Sequence, residues 1–118
     1  MCGISACIKK NGQIDKKKFD NMTDIISYRG PDDRGVFYEN SMALGHRRLS
    51  IIDLSDDGHQ PFEKIDGYVL VYNGEIYNYI ELREELTGYG HEFKTKTDTE
   101  TIIHAYKEWG NVCVNHFN

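Results

Sequence analysis

No apolar run in this chain approaches 18 residues, and its first residues lack the charged and apolar regions of a signal peptide. Neither a membrane-spanning helix nor a secretory leader is expected. No run of five basic residues occurs; Lys16-Lys17-Lys18 is the densest cluster, and the formal net charge is −5. That balance argues against nucleic acid and against an anionic membrane as partners. There is no Cys-x-x-Cys pair, and Cys2, Cys7 and Cys113 are odd in number and unevenly spaced. A structural zinc site and a disulfide framework are both disfavoured, so no metal is expected and a reducing, cytoplasmic location is the default. The glycine-rich phosphate loops Gly-x-x-x-x-Gly-Lys and Gly-x-Gly-x-x-Gly are missing as well, which removes the usual nucleotide signatures. No internal repeat, low-complexity linker or domain boundary is visible.

What is present is a 118-residue chain, 39% hydrophobic and 28% charged, enough for one folded domain with a modest core. Cys2 to Ile8 alternates in the manner of a strand. Asn11-Gly12 marks a turn. Asp15 to Tyr28 carries Phe19, Met22, Ile25 and Ile26 at helical spacing, with Asp15 as N-cap. Arg29 to Asp33 is a turn. Gly35 to Tyr38 and Ser41 to Ile52 read as strands joined at Glu39-Asn40, Leu54 to Pro61 as a loop, and Gly67 to Tyr72 as a strand. A helix after Asn78 ends near Gly88 or Gly90, and His91 to Thr95 reads as a short strand. Thr97 to Glu100 fits a capping box. Behind it, Ile102, Ile103, Tyr106 and Trp109 form a helical face that ends at Gly110. Short links between neighbouring strands favour an α+β arrangement with antiparallel pairing.

Candidate chemistry starts at Cys2. If Met1 is removed, one residue carries both a thiol and a free α-amine, and the amine can serve as base for its own side chain. If Met1 stays attached, that base does not exist. Asn73-Gly74 has two readings. One is a hairpin turn; the other is an oxyanion hole made of the Asn carboxamide and the unobstructed Gly N–H. Arg48 is either a solvated charge or a two-pronged contact for a carboxylate. Asp98 is either a favourable first-turn charge or, with Glu75, a holder of an ammonium group. The five histidines show no ligand spacing, and most read as structural or solvent-facing. Taken together, these groups meet the needs of a free amino acid with a side-chain amide, glutamine or asparagine.

Six motifs occur in order: Met1-Cys2-Gly3-Ile4, Arg29-Gly30-Pro31-Asp32-Asp33-x-Gly35, Gly45-His46-x-Arg48-Leu49-Ser50-Ile51-Ile52-Asp53, Gln60-Pro61, Tyr72-Asn73-Gly74-Glu75-Ile76-Tyr77-Asn78 and Thr97-Asp98-Thr99-Glu100. The chain resembles the N-terminal glutaminase domain of glutamine-hydrolysing asparagine synthetases, a class II amidotransferase. It departs at Tyr28, where the family commonly has histidine. The resemblance implies an N-terminal-nucleophile hydrolase fold, a four-layer α-β-β-α sandwich with antiparallel sheets, incomplete in this chain. It implies Cys2 as nucleophile and Asn73 with Gly74 as oxyanion hole. Arg48 would hold the α-carboxylate, Leu49, Ser50, Ile51 and Ile52 would line the pocket, and Glu75 and Asp98 would bind the α-ammonium. Glutamine is the implied substrate. No cofactor is expected in this domain; ATP and magnesium belong to a synthetase domain that this chain lacks. Apolar faces left open are expected to favour a homodimer through sheet edges. A catalytically inactive fragment, or a module binding an amino acid or a partner chain, is the alternative.

Overall fold

The computed structural model describes residues 1–50 and 56–118. The chain folds as two compact units, Met1–Asn73 and Gly74–Asn118.

The first unit is built on a three-stranded antiparallel sheet. Strand β1 spans Gly3–Ile8, β2 Asp33–Glu39 and β3 Met42–Arg48, in the order β1-β3-β2. Glu39 pairs with Met42, so β2 and β3 are joined by Asn40-Ser41 alone. Asn40 takes the positive φ, 45°, that such a short link needs. The expected strand from Ser41 to Ile52 stops at Arg48; Ile51 and Ile52 lie outside the described residues.

Helix α1 spans Lys16–Ile25. Asp15 caps it as the sequence indicates, its carboxylate accepting the Lys18 N–H at 3.1 Å. The helix was expected to reach Tyr28 but gives way to a 3₁₀ turn, Ser27–Arg29. Pro31 disfavours helical backbone at the residue before it, so the last turn tightens and ends. The helix lies very close to the sheet at Gly45, where an added Cβ would stand 2.3 Å from Ser5 Oγ and 2.5 Å from Thr23 Oγ1. The two hydroxyls are 2.7 Å apart, and Thr23 also donates to the Phe19 carbonyl, so Ser5 is the donor between them. Small and polar residues thus fill this contact. The alternate face of β1 leaves Ile4 and Ile8 exposed.

A two-stranded antiparallel sheet follows: β4, Phe62–Ile65, and β5, Tyr68–Leu70. Asp66-Gly67 turns between them with φ of 46° and 75°, the backbone that an Asp-Gly hairpin adopts. The strand expected from Gly67 to Tyr72 is present but shorter, and β4 was not anticipated.

The second unit is helical. Helix α2 spans Tyr79–Gly88, α3 Asp98–Trp109, and a 3₁₀ segment Gly110–His116 follows. Leu86, Ala105 and Cys113 form its buried cluster, with Phe93, Trp109 and Phe117 packed against it; full burial of one such leucine contributes about 1.5–3 kcal/mol. The expected face of α3 is corrected. Ile103 is buried, but Tyr106 is exposed, and Glu100, Thr101, His104 and Ala105 are buried instead. The capping box is half formed: Thr97 Oγ1 accepts the Glu100 N–H at 3.3 Å. The Glu100 carboxylate takes the N–H groups of Lys94 and Thr95 at 2.7 and 2.6 Å and the Thr95 hydroxyl at 2.6 Å. This is why His91 to Thr95 is not the short strand its sequence suggested: a side chain, not a neighbouring strand, satisfies its backbone.

Candidate active site

Cys2 sits immediately before β1, half-buried, with an unbridged thiol. Its sulfur receives the Leu49 N–H at 3.4 Å and lies 3.8 Å from the Leu49 carbonyl. The strand that would have engaged that N–H has ended at Arg48, so the backbone just past β3 turns to the sulfur. Arg29 Nε donates to the Cys2 carbonyl at 3.1 Å. Met1 precedes this arrangement with a 74% exposed side chain.

The segment 48–50 is fastened to the turn at residues 30–32. The Arg48 carbonyl accepts the Asp32 N–H at 3.0 Å, and Asp32 Oδ2 accepts the Ser50 N–H at 2.8 Å. Gly30 permits the approach, because a Cβ there would lie 2.2 Å from the Arg47 carbonyl oxygen. The Arg48 guanidinium lies against Gly58, where a Cβ would fall 2.0 Å from one of its nitrogens. Asp33 Oδ2 and His59 Nδ1 are 2.7 Å apart beside it. Sequence reasoning assigned no role to Arg29 or Asp32, although both lie in a motif it singled out. Their partners are 27 and 18 residues distant, and no local pattern reveals such pairings.

Asn73 follows β5 by three residues, and its side chain is exposed. The hairpin reading of Asn73-Gly74 does not apply, since α2 follows rather than a strand. The residue before it, Tyr72, is held by both peptide groups. Its N–H donates to Gln60 Oε1 at 2.6 Å, and its carbonyl faces His46 Nε2 at 3.1 Å. His46 is fully buried, and that burial lowers its pKa.

In the second unit, Gly74 and Glu75 are exposed and Ile76 is buried. Asp98, the first residue of α3, accepts the Ile76 N–H at 3.1 Å through Oδ2. Asp98 is therefore more than a helix-end charge, because it anchors the segment that carries Gly74 and Glu75. Some of the predicted residues meet within each unit: Cys2 meets the Leu49 backbone in the first, and Asp98 meets the 74–76 segment in the second. The first unit thus carries a half-buried thiol beside the 48–50 backbone and an exposed carboxamide at Asn73.

A family profile described as a glutamine amidotransferase domain matches residues 1–118. The chain belongs to this family. Its fold, antiparallel sheets with helices, is that of an α+β glutaminase domain of the N-terminal-nucleophile type. Among curated relatives, this amidotransferase domain is 43% identical over 123 residues to Asparagine synthetase [glutamine-hydrolyzing] 3 of Bacillus subtilis, covering 100% of the chain and 20% of the relative. It is 41% identical over 137 residues to a putative asparagine synthetase [glutamine-hydrolyzing] of Methanocaldococcus jannaschii, covering 100% of the chain and 26% of the relative. To a probable asparagine synthetase [glutamine-hydrolyzing] of Schizosaccharomyces pombe it is 40% identical over 118 residues, covering 98% of the chain and 21% of the relative. The amidotransferase domain thus spans about a quarter or less of the length of these relatives. Among the described residues no helix is long and apolar enough to cross a membrane.

Proposed function

We propose that this chain is the glutaminase part of a glutamine-hydrolysing asparagine synthetase. Removal of Met1 frees the α-amine of Cys2, which takes the thiol proton, directly or through a water. The thiolate attacks the side-chain carbonyl carbon of glutamine. The carbonyl π electrons move to oxygen, where the Asn73 carboxamide and the Gly74 N–H receive the charge. Collapse breaks the C–N bond, the α-ammonium of Cys2 protonates the leaving nitrogen, and ammonia departs from a γ-glutamyl thioester. Water, giving its proton to the same amine, then attacks the thioester. The C–S bond breaks and glutamate leaves. Arg48 holds the substrate α-carboxylate within a pocket lined by the Leu49 to Ile52 backbone, while Glu75 and Asp98 take the α-ammonium. The ammonia goes to an ATP-dependent synthetase domain that amidates aspartate; ATP and magnesium act there, and the glutaminase chemistry needs neither.

The observation that carries this reading is the Cys2 sulfur held at 3.4 Å by the backbone next to Arg48, in a chain of this family and motif order. The test pairs an intact-mass measurement with an ammonia-release assay. A chain lacking Met1 should accumulate a γ-glutamyl thioester and release ammonia. Asn73→Ala should lower kcat by roughly 10²–10³ with glutamine binding nearly unchanged. A processed chain that forms neither thioester nor ammonia would instead be a binding module. A homodimer through the edges of β1 and β2 belongs to the same reading, and a 13.7 kDa species in sedimentation would remove it.

A further inference from the structure

We propose that His46 and Gln60 are positioning residues that clamp both peptide groups of Tyr72 and so fix the placement of Asn73. The catalytic consequence rests on the oxyanion role proposed above, whereas the clamp itself rests on geometry. Tyr72 lies beyond Leu70, the last residue of β5, so the strand ladder does not hold it. Gln60 Oε1 accepts its N–H at 2.6 Å, and His46 Nε2 stands 3.1 Å from its carbonyl oxygen. A carbonyl only accepts, so Nε2 carries the hydrogen. His46 Nδ1 has no hydrogen-bond partner among the described residues, as a neutral ring with its lone pair on that nitrogen allows. Burial, which lowers the affinity of the ring for a second proton, keeps it in that form.

The N–H of Tyr72 belongs to one rigid peptide plane and its carbonyl to the next. Holding both planes sets the backbone angles of Tyr72 and the direction in which the chain enters Asn73. The clamp residues, separated by 14 positions, meet at one place on the sheet. His46 of β3 pairs with Gly35 of β2, and a Cβ on Gly35 would lie 2.0 Å from the Gln60 carbonyl oxygen. Gly35 thus lets the chain at Gln60 rest on β2 beside His46. An oxyanion donor acts only within about 2.7–3.1 Å of the developing charge, and a misplacement of about 1 Å costs on the order of 10² in rate. An exposed carboxamide past the end of a three-residue strand needs such a support.

The experiment uses the full chain without Met1 and reads two quantities: exchange of the Tyr72 amide by NMR, and kcat against KM for glutamine. Gln60→Leu should speed Tyr72 exchange at least ~10-fold and lower kcat by ~10–100-fold with KM nearly constant, whereas Gln60→Glu, which keeps an acceptor oxygen, restores both. His46→Gln, which keeps an N–H donor, and His46→Leu supply a second pair should Gln60→Leu not fold. In an Asn73→Ala background, Gln60→Leu should lower kcat no further, because the group it positions is gone. A loss of equal size in both backgrounds overturns the proposal, as does rapid Tyr72 exchange in the unmodified chain. If the unmodified chain and the Asn73→Ala variant behave as a glutaminase and a crippled one, but both clamp variants keep full kcat, the clamp alone fails. If the unmodified chain releases no ammonia, the functional reading fails and takes the positioning role with it.

Discussion

The two units fasten irregular backbone with opposite kinds of buried group. Among the described residues of 1–73 the buried polar side chains are neutral: Ser5 against Thr23, and His46 and Gln60 around Tyr72. In residues 74–118 the task falls to a carboxylate. Glu100 is 0% exposed, and three donors from Lys94 and Thr95 converge on it. A neutral clamp leaves one unpaired donor or acceptor when it is removed. A buried carboxylate that satisfies three donors leaves all three behind. The second unit therefore gains a firmly fixed connection between α2 and α3 and concentrates its sensitivity in one residue.

The largest effect expected from this contrast is that of Glu100→Ala. It strands three donors, at about 1–3 kcal/mol each, and so should destabilise the chain severalfold more than Gln60→Ala, which strands one part-buried N–H. Urea unfolding followed through Trp109, the single tryptophan of the sequence and part of the second unit, measures the first; amide exchange at Tyr72 measures the second. Equal losses would erase the distinction between charged and neutral clamps.

Much of this was readable from sequence where the signal is local. Asp15 and Thr97 were both identified as caps, and both accept the expected backbone N–H. Strands β1, β2 and β3 followed from alternation and short connections. Asp66-Gly67 is itself a hairpin signal, but β4 before it is only four residues, Phe62–Ile65, with Glu63 and Lys64 at its centre, too short for alternation to mark it. Glu100 was read as the returning half of a capping box because its spacing from Thr97 fits one. Only the fold shows that the carboxylate prefers Lys94 and Thr95, where it is desolvated and triply bonded. For the site, Cys2, Arg48, Asn73 and Asp98 were marked by their motifs. Arg29, His46 and Gln60 lie within those motifs, but their partners are 27, 26 and 12 residues away, so no local pattern assigns them a task. Side chains that act on distant backbone leave no periodicity to find.

Acid should sharpen the comparison further. Burial lowers the pKa of His46 in the first unit and of His104 in the second, in each case as the largest cause. The unfolded histidine titrates near about 6.5, so below that pH the unfolded chain holds more protons than the folded one. Each histidine thus contributes a stability that is complete above about pH 6.5 and declines as pH falls toward its lowered folded value. The surroundings differ. His46 faces a carbonyl, with Asp33, Arg48 and His59 as the charged or titratable groups nearby. His104 faces His91 Nδ1 at 3.0 Å, Glu100 at 3.6 Å, and Lys107, and His91 Nε2 in turn meets Glu108 at 2.8 Å. A carboxylate only accepts, so His91 Nε2 donates, and the space between the two Nδ1 atoms holds a single proton. His104→Gln should flatten the acid dependence seen at Trp109 and leave that seen at Tyr72 unchanged. A variant that flattens both would show that the two histidines do not titrate as separate local events.

The smallest effect separates two caps of the same design. Asp15 and Thr97 each accept one N–H at the start of a helix, at 3.1 and 3.3 Å. The Asp15 side chain is about half exposed, so water replaces much of what Asp15→Ala removes, and a loss of about 0.5–1 kcal/mol is expected, with Asp15→Asn close to neutral. Thr97 is buried, and its hydroxyl also lies 2.9 Å from that of Thr95, itself a donor to Glu100. Thr97→Ala therefore opens the network around the carboxylate as well as the cap, and a loss nearer about 2 kcal/mol is expected, the upper end for caps. Combining Thr97→Ala with Glu100→Ala should give less than the sum of the two losses, whereas Asp15→Ala with Glu100→Ala should add. Additive behaviour in both pairs, measured by urea unfolding, would mean that the Thr97 hydroxyl acts as a cap alone and that the carboxylate network does not reach it.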